Sequence, residues 1–511
     1  MLLKTAILGC LALLAAALLS QLVPQKAAAT GLADCPVVSD SVLGNTFYID
    51  AVNGSEQGDG SRARPWRDLQ SLVRDGKLSR QMWRMGPAPA ATDADRTERR
   101  LARKNVQQND EGKPEQSGVP RLVERTGALV GDGDTILLMS GNYGSVDLSG
   151  LYNKSFVKIA AAAGQHPRLD RLTVRGASHF VIEGLAIGGA PVAQDKERPL
   201  ILVSKSRGVD ADNIRLRKLD VGSTIDAQSI APEQFAASGP KGVSLTGNCI
   251  ELFDSQVHDV RVGVVAADLV RADIRANRIS RFSIDGVDFS GRNLFIIDNE
   301  VVDHIPPGDK HHPDCMQGQT RPGDGLQGPV TISGNVCLVK SGSMPTVADQ
   351  MQGIVIFNGE WQQVSITCNI VAPLAWQGIA MMGVDKSRIE HNVLLGQAGL
   401  VEGLDPKLQP WILIGVNERK GPTKLGRMPT NSEIRANLAP SYRNDPKGTA
   451  VGSKGVTGVR FADNAVGVIA GTKVASDQHP ALSKVALPGP LFPVALADIR
   501  ARYPLPAACK R

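Results

Sequence analysis

An asparagine followed by alternating apolar residues recurs along the second half of this 511-residue chain. Successive copies are 22, 36, 34, 23 and 45 residues apart. A basic period near 22 residues, lengthened in places by insertions, is typical of a solenoid in which each coil adds one strand to a parallel sheet. The repeated asparagines are Asn277, Asn299, Asn335, Asn369, Asn392 and Asn437.

Short β-branched segments separated by Gly, Asn and Asp fill the chain from residue 155 onward, for example at 156–159 and 180–185. Aromatic residues are only 4% of the chain, so Val, Ile, Leu and Ala must make most of its core. The 53 glycines and 31 prolines favour many turns over long helices. A β-sandwich would also contain many short strands, but it would not readily produce the asparagine repeat. We therefore predict an all-β parallel β-helix.

The passage 45–72 predicts a short strand at 47–52, a series of turns and an amphipathic helix at 66–73. Together with the strand and turn predicted at 134–144, it resembles the N-terminal entry of secreted right-handed parallel β-helix proteins of the pectate-lyase-like superfamily. The resemblance extends over about residues 45–440. It implies a right-handed coil with an N-terminal helical cap. It also implies a carbohydrate-active enzyme, commonly a polysaccharide lyase and less often a glycoside hydrolase or uronan epimerase.

The resemblance is specific for fold and weak for reaction, because fold alone does not supply function. Neither the calcium aspartates of pectate lyases nor the Asn-x-Asp, Asp-Asp and Gly-His-Gly set of polygalacturonases is complete here. The Asp-Pro-His motif of bacterial alginate epimerases is also missing. The nearest match is His312-Pro313-Asp314, in a different order.

Three regions are predicted. Residues 1–29 form a signal peptide, and residues 30–440 form the β-helix domain. A charged insertion at about 87–125 interrupts that domain as a solvated helical or disordered segment, or as a lid. Residues 441–511 lose the repeat and form an irregular C-terminal cap with a short helix at 495–503, to which Cys509 could be tethered.

The signal peptide has a positive residue, Lys4, then an apolar segment at 6–19 and small residues before Thr30. The apolar segment is too short to predict a membrane span. A lipoprotein site at Cys10 and retention as an uncleaved anchor are the alternatives. We predict a monomer exported to a bacterial periplasm or beyond, with no stable membrane span after cleavage.

Cleavage would remove Lys4 and Lys26 and lower the formal charge from +6 to +4. Such mild basicity permits an acidic polymer as partner, and the lack of a dense Lys/Arg tract argues against nucleic acid. Six cysteines would remain, an even number that indicates disulfides in an oxidising compartment. Cys315 could instead be a nucleophile. The six are Cys35, Cys249, Cys315, Cys337, Cys368 and Cys509.

The segment from His304 to Gln317 concentrates titratable groups beside a predicted polar column. Aligning the coils on their asparagines gives a second repeated pattern, a residue followed by Gly and an apolar residue. The residues before that glycine are Val262, Asp285, Gln317, Gln352 and Gln377. Equivalent positions of a parallel coil stack on one face, so these side chains should form a polar column. Asp314 and Asp349 would lie beside it.

An extended polysaccharide suits such a column, because amides both donate to and accept from sugar hydroxyls. We predict Gln317, Gln352, Gln377 and Asp349 as substrate-binding residues, with Trp376, and also Trp361, stacking on sugar rings. The alternative for the glutamines is an internal hydrogen-bonded ladder without a ligand.

The leading prediction is a lyase that cleaves an acidic, uronate-containing polysaccharide by β-elimination. Lys310, His311 or His312 would remove the proton, because histidine needs little change of its pKa to act near neutrality. Gln317 and Gln352 would bind the acidic group, helped by a cation on Asp285 or Asp314.

Three alternatives stay open. A glycoside hydrolase would use paired aspartates, with Asp285, Asp288, Asp314 and Asp349 as candidates. Asp285 and Asp314 are the better pair, because Asp285 and Asp288 should point to opposite faces of a strand unless a bend intervenes. A metal site could use Asp309, Asp314 and Asp285, with Ca²⁺ the ion considered, or include His311 and His312 to bind Zn²⁺. A non-catalytic exopolysaccharide-binding or adhesin-like protein would keep the glutamines and need no titratable cluster.

Overall fold

The computed structural model describes residues 35, 44–86, 118–189, 198–224, 229–308, 311–320, 324–397, 400–405, 409–416, 429–444, 458–469, 482–487, 495–503, 505 and 507–509. Two predicted segments lie outside the described residues: the signal peptide (1–29) and most of the charged insertion (87–117).

The chain is a parallel β-helix, as predicted, whose coils build three long sheets. Sheet I contains β1 (Thr46–Ile49), β4 (Thr135–Leu138), β8 (Val157–Ala161), β11 (Ser178–Glu183), β14 (Asp212–Arg217), β16 (Lys241–Phe253), β19 (Ala272–Arg275), β22 (Leu294–Ile297), β26 (Val330–Ser333), β30 (Val364–Thr367), β34 (Arg388–Glu390), β37 (Ser432–Arg435) and β40 (Val459–Ala462).

Sheet II shares β16, whose first half pairs in sheet II and whose second half pairs in sheet I. Its other strands are β6 (Ser145–Asp147), β10 (Arg171–Arg175), β13 (Ile201–Ser204), β18 (Val262–Leu269), β21 (Val287–Gly291), β24 (Asp314–Gly318), β28 (Gln352–Ile356), β32 (Gln377–Met382), β36 (Trp411–Gly415) and β39 (Ser441–Tyr442).

Sheet III follows sheet I in each coil and consists of short strands. These are β5 (Gly141–Asn142), β9 (Pro167–Leu169), β12 (Ala186–Ile187), β15 (Asp220–Gly222), β17 (Gln256–Val260), β20 (Arg278–Phe282), β23 (Glu300–Val302), β27 (Val336–Leu338), β31 (Ile370–Ala372), β35 (Val393–Leu394), β38 (Leu438–Ala439), β41 (Ala465–Ile469) and β42 (Lys484–Leu487).

Two small sheets lie beside the coils. One is antiparallel, with β2 (Gln81–Met85) between β3 (Pro120–Glu124) and β7 (Leu151–Tyr152). The other is parallel and contains β25 (Leu326–Gln327), β29 (Glu360–Gln362) and β33 (Val384–Asp385). The helices are α1 (Leu69–Arg74), α2 (Pro232–Ser238), α3 (Leu496–Arg502) and a 3₁₀ turn at Ala507–Cys509.

Alternating Val, Ile and Leu side chains point into the coil and stack into one core that runs from Ile49 to Val459. At α1, Leu69 and Leu72 join this core, and Asp68 caps the helix by accepting hydrogen bonds from the N–H groups of Gln70 and Ser71. The helix predicted at 66–73 is therefore present, and it packs on the N-terminal coils.

The repeated asparagines form a buried ladder inside the coil. Each backbone N–H donates to the side-chain oxygen of the asparagine one coil later, as from Asn335 to Asn369 at 2.9 Å. Each side-chain amide also donates to that oxygen and to a strand carbonyl, which satisfies the buried polar groups.

The asparagines of the ladder do not themselves take left-handed backbone angles. The residue before each one does, as at Ala276 (φ 56°) and Cys368 (φ 60°). The asparagine instead holds the turn through its side-chain hydrogen bonds.

The coils continue beyond residue 440, the predicted end of the β-helix domain. The Asn437 N–H donates to the Asn464 side chain at 3.0 Å, and β40 and β41 pair in parallel with the coil before them. The boundary at 440 is therefore wrong for the described residues. The interval of 27 residues and the adjacent insertions obscure this last repeat in the sequence.

The described end of the charged insertion is also regular, because β3 pairs with β2. A helical or disordered structure is therefore wrong for residues 120–124. At the other end of the chain, α3 forms as predicted, and its Ile499 packs with Tyr503 against Val302, Leu338 and Ile370 of successive sheet III strands.

All six described cysteines form disulfides: Cys35–Cys249, Cys315–Cys337 and Cys368–Cys509. The last bond ties the C-terminal 3₁₀ turn to a coil, as predicted. Cys315 is fully buried, so this bonding argues against its role as a nucleophile. No helix among the described residues is long and apolar enough to cross a membrane.

Candidate active site

The polar column lies on sheet II, with one coil displaced from the predicted alignment. Asp288 pairs with Gln317, and Asp314 pairs with Gln352, so Asp314 is the register partner of Asp285. The column, one residue per coil, is Lys241, Val262, Asp285, Asp314, Gln352, Gln377, Trp411 and Ser441. The prediction that Gln317 stands in this column is wrong.

The displacement has a specific cause. Glycine follows the column residue in most of these coils because neighbouring backbones approach closely: a Cβ on Gly353 would lie 1.9 Å from the Gly378 carbonyl oxygen. In the coil of Asp314 that position is held by Cys315 instead. Aligning on the later Gly318 therefore moves this coil by three residues.

Three aspartates of adjacent coils meet at this column. The Asp314 backbone N–H donates to Oδ1 of Asp285 at 2.9 Å. A bend at Gly286 precedes β21, and the negative charge of Asp288 acts on both other carboxyl groups. Asp285 and Asp288 therefore belong to one site, although a regular strand would turn them to opposite faces.

Burial raises the pKa of all three carboxyl groups. The pKa of Asp285 lies well above its ordinary range, first through burial and then through the charges of Asp288 and Asp314. Burial likewise raises the pKa of Asp314 well above that range, opposed by a hydrogen bond from Gln317. Burial raises the pKa of Asp288 to about 7, and the positive charge of Lys241 opposes the rise. Near neutral pH the group therefore holds protons and carries fewer than three charges.

Amide groups border the aspartates. The Gln317 side chain donates to Oδ2 of Asp314, while Oδ1 of Asp314 has no hydrogen-bond partner among the described residues. The side-chain oxygens of Gln352 and Gln377 are also buried and have no described partner. The internal ladder consists of asparagines, so the glutamines are left with acceptors that a ligand could use.

Helix α2 and the segment that begins at His304 lie beside the column. Helix α2 places Phe235 against Ile305, at the start of the histidine-rich segment. His304 is fully buried, and its Nε2 lies 3.1 Å from the Ser283 carbonyl oxygen. Burial lowers the pKa of His304 to about 4, so the imidazole is neutral near pH 7. Its role is to hold this segment in place, not to transfer a proton.

Asp349 stabilises the loop that precedes β28. Its Oδ2 accepts hydrogen bonds from the Thr346 N–H at 2.8 Å and the Thr346 hydroxyl at 3.0 Å, and its Oδ1 lies 3.1 Å from Lys340 Nζ. The side chain is 2% exposed. These contacts fix a loop, and a direct substrate contact by Asp349 stays a prediction.

The aromatic residues separate into two groups. Trp376 is 55% exposed next to Gln377, where a sugar ring could stack. Trp361 is fully buried, with its Nε1 donating to the Asn358 carbonyl at 2.7 Å, so the prediction that it stacks on substrate is wrong.

The histidines of the predicted base lie on the chain just before Asp314. His311 and His312 are exposed, and Lys310 and Asp309 lie outside the described residues. No group of three or more His, Cys, Asp or Glu side chains is placed to hold a metal ion within the described part of the chain. The metal set that includes Asp309 stays a prediction.

One predicted candidate gains importance, and one contributor is not among the predicted residues. Asp288 is ranked below Asp314 as the partner of Asp285, because regular strand alternation turns it to the opposite face, but the bend at Gly286 removes that objection. Lys241 lies 44 residues before Asp285 in the sequence, and only the stacking of coils brings its charge to Asp288. The repeated residue–Gly–apolar pattern, extended backward to Lys241-Gly242-Val243, is the signal that could have found it.

No family model matches this sequence, and no curated protein matches it. Solved structures do share its parallel β-helix fold. The A-module of the mannuronan C-5 epimerase AlgE6 of Azotobacter vinelandii is 15% identical, with 70% of this chain and 91% of that chain covered at a TM-score of 0.45. A mannuronic acid-specific polysaccharide family 6 lyase from human gut microbiota is 15% identical, with 73% and 93% covered at 0.41.

The pectate lyase Pel9A is 12% identical, with 85% of this chain and 82% of that chain covered at a TM-score of 0.36. At these identities the likeness is one of fold, and the reaction has to be inferred from this chain's own residues.

Proposed function

We propose that this chain is a carbohydrate-active enzyme that hydrolyses a polysaccharide lying along sheet II. The observation that carries the proposal is the group of Asp285, Asp288 and Asp314 on adjacent coils, with mutually dependent and raised pKa values. Glycoside hydrolysis needs two carboxyl groups in different protonation states. Environments that push the pKa values of neighbouring acids apart supply that difference.

The pKa values indicate the two roles. Asp285, whose pKa is raised well above its ordinary range by burial, is the general acid that protonates the glycosidic oxygen. Asp288, with a pKa of about 7 and Lys241 favouring its ionised form, is the carboxylate that activates water or attacks the sugar. Asp314 is a positioning residue, because its backbone N–H holds Asp285 and its carboxylate, when ionised, raises the pKa of Asp285 further.

Substrate binding is assigned to the amides and the exposed indole. Gln352 and Gln377 offer acceptors without described partners, and Trp376 offers an apolar ring face. A carboxyl group that holds its proton does not repel an anionic polymer. The three aspartates are therefore compatible with a uronate-containing substrate as well as a neutral one.

β-Elimination on an acidic polysaccharide is the second candidate. Lys241 supplies positive charge at the aspartates, and His311 and His312 are exposed on the coil of Asp314. A lyase could use such groups to neutralise the uronate carboxylate and to remove a proton. Ca²⁺ belongs to this candidate only if Asp309, with Asp285 or Asp314, completes a site.

A screen of acidic and neutral polysaccharides separates the candidates. Hydrolysis releases new reducing ends without the ultraviolet absorbance of an unsaturated uronate, whereas elimination produces both signals together. Retention of a polymer with neither signal would favour the binding-only protein and contradict the enzyme proposal.

Export as a soluble monomer remains part of the proposal. Three disulfides, one of which spans 214 residues of sequence, suit an oxidising compartment. N-terminal sequencing of the protein recovered from the periplasm or medium tests cleavage before Thr30, and its sedimentation tests the monomer.

A further inference from the structure

A second concave site lies near the N-terminal end of the β-helix, away from the aspartates. Strand β2 and the turns that follow β6, β10 and β13 enclose a pocket of about 320 Å³. Trp83 and Arg84 line it from β2, while Asp147, Arg175 and Arg207 line it from the coils.

Positive charge predominates in this pocket. Arg84, Arg175 and Arg207 are exposed, whereas Asp147 is the acidic residue among those that line it. Arg175 lies 3.6 Å from Asp147, and no described carboxylate pairs with Arg84 or Arg207. Guanidinium groups bind carboxylates and sulfates through paired hydrogen bonds, so the pocket suits an anionic group.

Trp83 gives the pocket an apolar wall. Its ring meets Tyr152 edge-on at 5.9 Å, and its backbone N–H donates to the Gly150 carbonyl at 2.7 Å. These contacts fix an indole beside the arginines. An aromatic ring next to guanidinium groups is a combination that suits an acidic sugar, which has both an apolar ring face and a negative charge.

The pocket and Asp288 share one face of sheet II. Stepwise register along that face runs through Asp147, Thr173, Leu202, Ser244, Val265 and Asp288. Five coil steps separate Asp147 from Asp288, a distance of about 24 Å at the usual strand spacing. Leu202, Ser244 and Val265 between them are half-buried and short, so an extended chain could lie across them.

We propose that this arginine–tryptophan pocket binds an anionic unit of an acidic polysaccharide whose chain continues along sheet II toward Asp288. The proposal names the substrate class of the site above and so rests on the proposed function, but saccharide binding in the pocket can be tested without catalysis.

The test measures binding to the D288N protein, which removes turnover, by titration calorimetry. The probes are hexamers of galacturonate, mannuronate, guluronate and glucuronate, with maltohexaose as the neutral comparison. In the D288N background, R84Q/R207Q should weaken binding of the best acidic hexamer about tenfold or more. R62Q/R292Q removes two exposed arginines elsewhere and should leave the affinity unchanged.

Equal affinity in the two double variants would overturn the proposal. Acidic hexamers that bind no more tightly than maltohexaose would do the same. An intact fold of each variant is checked by its thermal unfolding midpoint. If the wild type cleaves no polymer but R84Q/R207Q still selectively weakens acidic binding, the proposed hydrolysis fails and the pocket stands.

Discussion

The backbone N–H of Asp314 donates a hydrogen bond to Oδ1 of Asp285 on the preceding coil, with the two atoms 2.9 Å apart. This contact holds the carboxyl group of Asp285 against the backbone of Asp314, whose own carboxyl group is close by. Because both side chains are buried, their environment favours the protonated form of each. A β-helix brings such groups together by stacking, although 29 residues separate them in the chain.

Replacing Asp314 with Asn should change the pH profile of the reaction. Once Asp314 is ionised, its negative charge adds to the effects of burial and of Asp288 in raising the pKa of Asp285, so replacing it with a neutral residue should lower that pKa. Asp285 would then lose its proton at lower pH, and the alkaline limb of kcat/KM should move to lower pH. The backbone hydrogen bond remains in D314N. An unmoved limb in a folded D314N protein would contradict the positioning role.

Replacing Asp288 with Asn should change how stability depends on pH. The pKa of Asp288 is about 7 in the folded protein and about 4 when unfolded, so the folded state binds the proton more tightly. Its contribution to stability is therefore full below about pH 4 and is lost as pH rises toward about 7.

The free energy of unfolding of D288N relative to wild type should rise between about pH 4 and 7, by at most about 1.4 kcal/mol per pH unit, and then level off. D268N, at an exposed position of β18, is the control and should show a constant difference. If the difference in free energy of unfolding between D288N and wild type were as independent of pH as that of D268N, it would argue against a raised pKa of Asp288.

Replacing Asn369 with Ala should destabilise the coil. Its side chain accepts from the Asn335 backbone and side-chain N–H groups at 2.9 Å, and it donates to the Ile332 carbonyl at 3.0 Å. Loss of these buried bonds should cost about 3 kcal/mol or more, measured as the free energy of unfolding in denaturant. N358A, outside the ladder, should cost much less, and equal losses would be inconsistent with the ladder.

Much of the fold follows from local sequence, and less of the site does. The asparagine interval predicts the coils, because each ladder residue must recur at the same turn. The predicted end of the β-helix domain, at residue 440, is too early because insertions precede Asn464 and obscure the last repeat. The register of Asp314 was missed because Cys315 occupies a position that neighbouring coils fill with glycine, and a disulfide partner is not evident from spacing.

The other unpredicted features of the site depend on contacts between residues that are far apart in the sequence. The bend at Gly286, which brings Asp288 to the side of Asp285, depends on packing between coils. The Lys241 charge reaches Asp288 only when two coils are stacked. The burial of Trp361 depends on the small sheet that contains β29, which the repeat does not predict.

Replacing Trp376 with Ala should weaken polysaccharide binding with little effect on stability. The indole is 55% exposed beside Gln377, so its loss removes ligand contact rather than core packing. Affinity should fall roughly tenfold, as expected for about 1–2 kcal/mol of lost apolar contact. L129A, which truncates another exposed apolar residue, is the matched control for a polymer-binding assay. Unchanged affinity in W376A would remove this indole from the binding face.

The most direct measurement is reducing-end release from the best substrate of a polysaccharide screen by wild type, D285N, D288N and the control D268N. We expect wild type and D268N to release reducing ends without unsaturated-uronate absorbance. D285N and D288N should each be slower by about a hundredfold or more, since each removes one half of the acid–base pair. Wild-type rates in D285N and D288N, or absorbance that rises in step with the reducing ends, would contradict aspartate-based hydrolysis.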